Sequence, residues 1–190
     1  MAQIIVRPAT NTDLDTLLHF EQGVIAAERP FDPTLKPDPN HYYDIPYMIG
    51  APEIELVVAE LVSPPSSPTG TPSSPADKSS SLTDTSTSPA DKSASPTGKL
   101  IGSGYARIEA SKHYLLHTRH AYLGFMYVVP EHRGKGVNQL IIEALKQWSL
   151  SQNITELRLD VYSENQPAIN AYEKAGFTKY LIEMRRGLTP

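Results

Sequence analysis

Two glycines and two cations are interleaved in the run Phe125-Met126-Tyr127-Val128-Val129-Pro130-Glu131-His132-Arg133-Gly134-Lys135-Gly136-Val137-Asn138. It reads as a strand that stops at Pro130, a glycine-containing turn, and a helix whose unpaired first N–H groups point back at the turn. Those donors and the positive end of the helix dipole make an anion site. Gly134 and Gly136 let the backbone approach a phosphate without a Cβ in the way, and Arg133 and Lys135 bring positive charge. The chemistry on offer is capture of a phosphorylated ligand; a basic turn with glycines for geometry alone would have the same composition. Two other phosphate loops fit worse. A magnesium-holding nucleotide loop needs Ser or Thr after Gly134-Lys135, where Gly136 stands. A dinucleotide fold needs a third glycine and an acid about twenty residues on; Asp160 is near that range, but the glycines do not match.

The elements that must position this loop follow from hydrophobic periodicity. Ile4–Arg7 is a short strand. Asn11 or Thr12 caps a helix with Asp13 and Asp15 in its first turn and Leu14, Leu17, Leu18 and Ile25 on one face. The Pro- and Tyr-rich stretch 30–52 holds one short helix around His41–Ile49. Ile54–Leu61 and Leu100–Ile108 are two strands of an extended hairpin, and Ala121–Val129 is another strand. Val137, Leu140, Ile141, Leu145 and Trp148 repeat at helical spacing. Glu156–Tyr162 alternates as a strand, Pro167 opens a helix that ends near Gly176, and Phe177–Met184 closes the sheet. The class is α/β with a mixed sheet, in one domain over residues 1–190.

Residues 63–98 stand apart. About two-thirds of them are Ser, Thr or Pro, and Ser74-Pro75-Ala76-Asp77-Lys78-Ser79 returns as Ser88-Pro89-Ala90-Asp91-Lys92-Ser93. Such a segment buries too little apolar surface to offset its ordering entropy, so it reads as a disordered insert between two strands. The rest is ordinary for a soluble protein: 39% hydrophobic, net charge -4, which gives no reason to expect nucleic acid. With 0 cysteines, disulfides, thiolate nucleophiles and cysteine-bound zinc are all excluded. No apolar run suits a signal peptide or a membrane span, and a cytoplasmic protein is expected. His113, His117 and His120 lack the carboxylate spacing of a metal site, so no metal is expected.

A second segment narrows the reading. Leu157-Arg158-Leu159-Asp160-Val161-Tyr162-Ser163-Glu164-Asn165-Gln166-Pro167-Ala168-Ile169-Asn170-Ala171-Tyr172-Glu173-Lys174-Ala175-Gly176-Phe177 resembles the strand–helix signature of the GNAT superfamily of N-acetyltransferases. The glycine loop resembles that superfamily's acetyl-CoA loop through Arg133 and Gly136, with Asn138 where Gly or Ala is usual. Arg7-Pro8-Ala9-Thr10 with Asp13-Leu14 looks like its first strand and helix.

The resemblance implies a mostly antiparallel mixed sheet with flanking helices and a splayed central strand pair, with pantetheine lying along the backbone of Met126, Tyr127 and Val128. It implies that Gly134, Lys135, Gly136, Val137, Asn138 and Gln139 hold the pyrophosphate of acetyl-CoA and that Asn165 hydrogen-bonds the coenzyme. Tyr172 matches the family's proton donor, and a phenol of pKa about 10 stays protonated at neutral pH. Asp160 lies where some members place a catalytic Glu; Glu109, Glu131 and His120 are further candidate bases. The acceptor amine, on a small molecule or a protein, would meet residues 28–49, where Arg29, Asp32, Asp38, His41, Tyr42 and Tyr43 are unusually polar and aromatic for a connection. Tyr105 and Tyr122 would limit the acyl group. The family also implies a possible homodimer. A catalytically silent acyl-CoA sensor is the alternative that Asn138 motivates.

Overall fold

The computed structural model describes residues 3–62 and 98–188. Five strands form one sheet in the order β1-β2-β3-β4-β5: β1 (Gln3–Pro8), β2 (Ile54–Val62), β3 (Lys99–Ala110), β4 (Arg119–Val128) and β5 (Leu157–Arg158). The first three junctions are antiparallel and β4–β5 is parallel. Helix α1 (Leu14–Glu28) and the short α2 (Ile45–Met48) cover one face, and α3 (Val137–Ser151) covers the other. Helix α4 (Gln166–Lys174) follows β5.

Successive side chains on a strand point to opposite faces, so a strand covered on both sides is apolar throughout. In β2, Leu56 and Val58 join Leu17, Phe20, Val24 and Met48 under the first helices. Val57 and Ala59 join Ile101, Val137, Ile141 and Leu145 under α3. The α3 layer sits close because Gly102 and Gly104 leave room for it. A Cβ on Gly104 would meet Ile141 at 2.7 Å, and one on Gly102 would meet the Tyr127 carbonyl at 2.7 Å and Ile141 at 3.2 Å. The start of α3 is thereby pressed against the β3–β4 pair.

Several sequence expectations shift. The buried stripe of α1 is Leu17, Phe20, Glu21, Val24 and Ile25; Leu18 faces outward. Leu140 is likewise exposed, and Ile142 takes its place in the core. Thr10, rather than Asn11 or Thr12, opens the first helix, its backbone N–H and hydroxyl both donating to Asp13. The helix expected over His41–Ile49 shrinks to α2, because Asp44 caps it by accepting from the Tyr47 N–H, and the N–H groups of Tyr42 and Tyr43 go to Glu21 instead. Only Leu157–Arg158 of the expected strand 156–162 pairs with β4. Phe177–Met184 does not close the sheet: among the described residues it has no strand partner, and Tyr180, Leu181, Ile182 and Met184 are exposed. β2 and β3 flank the Ser/Thr/Pro-rich insert as expected; residues 63–97 lie outside the described residues.

One ion cluster ties strand to helix. Arg7 on β1 donates from both terminal nitrogens to Asp13, each at 2.9 Å, and through Nε to Glu60 on β2 at 2.7 Å. Asp13 is only 2% exposed and Glu60 3%. Burial pushes the Asp13 carboxyl up, but hydrogen bonds from Arg7 and Thr10 outweigh it and hold the group below its ordinary 3.8. Removing Arg7 strands two buried carboxylates, so Arg7→Met is expected to lower stability by about 3–5 kcal/mol in urea unfolding. Because the folded-state value of Asp13 lies below 3.8, its stabilisation is complete above that pH and fades as the pH falls further. The gap in stability between the native protein and Asp13→Asn should therefore be widest at neutral pH and shrink below pH 3.8.

Candidate active site

The site begins with a bulge. Tyr105 pairs with Gly124 and Ser103 with Tyr127, so Gly104 alone faces both Phe125 and Met126. Phe125 takes φ 53, a conformation that a bulky side chain adopts only when its surroundings impose it. Those surroundings are visible: its ring is buried and stacks on Tyr43 at 4.8 Å, and its carbonyl accepts from the Ser103 hydroxyl at 3.2 Å. The added twist turns β4 away from β5. Pairing with β5 stops at Tyr122, and among the described residues no strand lies on that side of 123–128. Met126, Tyr127 and Val128 thus sit on an open sheet edge, as the resemblance implied. Tyr127 is locked by its ring, which lies 5.0 Å from Phe20 and crosses α1 where Gly23 has no side chain. A Cβ there would come within 2.5 Å of the ring.

Beyond Val128 comes a single 3-10 turn (Pro130–His132), then an extended Arg133. Gly134 (φ 73) and Gly136 (φ 81) hold left-handed conformations that a side chain disfavours, and Gly136 is the residue before α3. Leu140 is the first residue of α3 to return its N–H to the chain, to the Gly136 carbonyl at 3.2 Å. Among the described residues, no acceptor takes the N–H of Gly134, Lys135, Gly136, Val137, Asn138 or Gln139. Val137 is buried and anchors the helix start, while Gly134 through Gly136 and Gln139 are exposed. Arg133 does not reach forward. Its Nε donates to the Val128 carbonyl at 3.0 Å and its guanidinium lies 5.9 Å from the Tyr127 ring centroid, so it braces the end of β4.

After β5, α4 is capped by the Asn165 side-chain oxygen, which accepts from the Ala168 N–H at 3.3 Å. That leaves the Asn165 amide nitrogen as its free donor. Gly176 (φ 94) ends the helix, and the Phe177 N–H returns to the Tyr172 carbonyl at 3.0 Å. Tyr172 packs edge-on against Phe177. Its phenol is pushed up to about 12, first by burial and then by the negative charge of Glu28. Asp160 is exposed and accepts from the Tyr122 hydroxyl at 3.1 Å, across the point where β4 and β5 part. Tyr105 and Tyr122 flank the Arg107 guanidinium, each ring centroid 5.9 Å from it.

The three histidines do not converge. His120 meets Ser111, whereas His117 meets Glu156 and Arg158. Among the described residues no group of three or more His, Asp or Glu side chains could hold a metal ion. A hollow of about 610 Å³ opens beside Thr16, His19, Tyr127 and Pro130, and Tyr172 does not line it.

Two acids on the apolar stripe of α1 were not singled out from the sequence. Glu21 is fully buried and accepts from the N–H groups of Tyr42 (2.7 Å) and Tyr43 (2.9 Å) and pairs with His41 at 2.8 Å. It holds residues 41–43 extended across the sheet. Glu28, seven residues on and half-buried, lies among tyrosines. Their signal was present: an acid at the spacing of Leu14, Leu17 and Val24 must be buried with partners.

Comparison with known proteins agrees with this geometry. The chain is 49% identical over 47 residues to streptothricin acetyltransferase of Escherichia coli, covering 25% of this chain and 27% of that protein. It is 34% identical over 58 residues to thialysine N-epsilon-acetyltransferase of Mus musculus, covering 30% and 34%. These matches span about a quarter to a third of the relatives' lengths. The fold superposes with a TM-score of 0.58 on the crystal structure of a predicted acetyltransferase with acetyl-CoA from Clostridium acetobutylicum, at 14% identity over 96% of both chains. The model of the acetyltransferase (GNAT) family matches residues 57–177, which carry the bulged β4, the glycine loop and α4 alike, and the chain belongs to that family.

Proposed function

We propose that this protein transfers an acetyl group from acetyl-CoA to a primary amine by direct attack, in the cytoplasm and without a metal. The observation that carries this reading is the row of unclaimed N–H groups from Gly134 to Gln139, set at the end of an open strand edge. Six donors at a helix start suit a pyrophosphate, and Lys135 adds a cation beside it. The pantetheine arm then follows the backbone of Met126, Tyr127 and Val128 toward the bulge, which brings the thioester near Tyr172, and the Asn165 amide nitrogen supplies a further hydrogen bond.

In the reaction the amine nitrogen attacks the thioester carbonyl, a β4 N–H stabilises the oxyanion, and the C–S bond breaks. Tyr172 gives its proton to the departing thiolate. Its raised pKa suits that task, because the phenol stays protonated throughout the neutral range. The attacking amine must be neutral. At pH 7 this costs about 1 kcal/mol for an amine of pKa near 8, against roughly 4–5 kcal/mol for a lysine-like amine. Asp160, bound by Tyr122, is the base that the sequence suggests. The relatives' names put streptothricin and the N-epsilon amine of thialysine among the acceptors to try first. With a net charge of -4, nucleic acid is not the expected partner.

Three outcomes test the reading. Thermal unfolding with CoA at about 100 times its Kd should show a stabilisation of about 2.7 kcal/mol. A side chain at Gly136 must adopt a left-handed backbone, at about 1–2 kcal/mol; Gly136→Ala should accordingly weaken CoA binding roughly ten-fold. No shift with the native protein would remove the coenzyme from the assignment. Tyr172→Phe should lower kcat by about 10²–10⁴-fold while the affinity for CoA stays within two-fold of native. Equal turnover would take Tyr172 out of the mechanism, and CoA binding without transfer to any amine would leave a silent sensor.

A further inference from the structure

We propose that the hollow between the last turn of α3 and the start of β2 is a second binding site. It takes an organic cation: a primary ammonium or a guanidinium, carried by a free amine or by a basic side chain. The hollow shares no residue with the glycine loop, β4 or α4, so the proposal stands apart from the acetyltransferase reading. It measures about 450 Å³, within the usual range for small-ligand sites, and Pro8, Asn11, Met48, Gly50, Glu55 and Trp148 are among the residues around it. Its charge comes from Glu55. That residue pairs with Ala106 in the register of β2 and β3, and its neighbours Ile54 and Leu56 belong to the core under α1. Alternation therefore turns Glu55 to the other face, where Val57 and Ala106 pack under α3. Trp148 packs against that same core from the last turn of α3.

Glu55 is a half-buried carboxylate that no described neighbour serves. Burial alone acts on it, lifting it above its ordinary 4.5, with no hydrogen bond and no cation to draw it back. The buried acids Asp13 and Glu60, by contrast, meet Arg7, and Glu21 meets two N–H groups and His41. A carboxylate taken out of water without a partner lowers stability, so Glu55 is a place kept for a ligand. Two further features select a cation. An indole face is the best aromatic surface for one, and Trp148 lines the hollow together with Glu55. Helix α3 ends at Ser151 with no basic residue in its last turn, so the negative end of its dipole is uncompensated there. Arg107 on the paired strand does not fill the place: it stands opposite Ile54, leaves from the other face of the sheet and pairs with Glu109. An inorganic ion fits less well, because one carboxylate offers few of the oxygen ligands that calcium or magnesium needs. Among the described residues no three His, Asp or Glu side chains converge to hold a metal.

Trp148 is the sole tryptophan of the chain, so its fluorescence reports on the hollow directly. Titration with n-butylammonium chloride and with ethylguanidinium chloride should change that emission saturably, while n-butanol and sodium chloride at matched concentrations should not. Glu55→Gln should weaken binding roughly ten-fold or more, since a hydrogen bond to a charged group is lost. The same substitution removes an uncompensated charge, so the free protein should melt at or above the native temperature. An acetylated and amidated Ala-Arg-Ala peptide separates the two sources of the cation. Binding tighter than that of ethylguanidinium assigns the hollow to a side chain of another protein, and weaker binding assigns it to a free amine. No saturable change with either small cation would overturn the proposal, as would an undiminished response in Glu55→Gln. A lowered melting temperature or a failure to fold in Glu55→Gln would also overturn it, by showing that Glu55 already has a partner within the chain.

Discussion

The site exists because β4 cannot stay paired on both sides. One extra residue at Phe125 breaks its register with β3, and the twist that follows carries the strand away from β5 after two paired residues. A left-handed phenylalanine is costly by itself. It persists because its ring is clamped by Tyr43 from above and its carbonyl is held by Ser103 from the neighbouring strand. The glycine loop follows the free end of β4, and Asp160 meets Tyr122 where the two strands part. A sheet paired along its whole length would have no unpaired edge to offer a coenzyme.

Helix α1 links stability to this gap. Its first turn is tied to β1 and β2 by Arg7, Asp13 and Glu60. Its middle gives up a side chain at Gly23 so that the Tyr127 ring can lie across it. Glu21 then spends its buried charge on the backbone of Tyr42 and Tyr43. Because Tyr43 also stacks on Phe125, the 41–43 segment and the bulge are one packed unit. A buried carboxylate is tolerated only when its lone pairs are filled, and Glu21 fills them with the groups that must not move.

Much of this was legible in the chain. The turn at Gly134 and Gly136 was marked by residue type, because a left-handed backbone favours glycine. Strong periodicity marked β2, β3, β4, α1 and α3. What failed were features decided by partners distant in sequence. Nothing local in His41-Tyr42-Tyr43 says that Glu21 will take two of its N–H groups and keep the stretch out of a helix. Nothing in Leu159–Tyr162 says that β4 will turn away, nor in Phe177–Met184 that it will find no strand to pair with. The bulge itself was invisible, since Phe125 has no preference for a positive φ. Asn165, which the resemblance implied as a coenzyme ligand, also caps α4 through its side-chain oxygen.

The modest net charge of -4 conceals a polarity along the gap. At the loop end, free N–H groups, the dipole of α3 and Lys135 favour an anion. At the end of α1, Glu28 lies among hydroxyls and rings, Asp32 stands nearby, and the cations around them are paired to carboxylates. The negative charge of Glu28 adds to burial in raising the Tyr172 phenol, so that hydroxyl stays protonated throughout the neutral range.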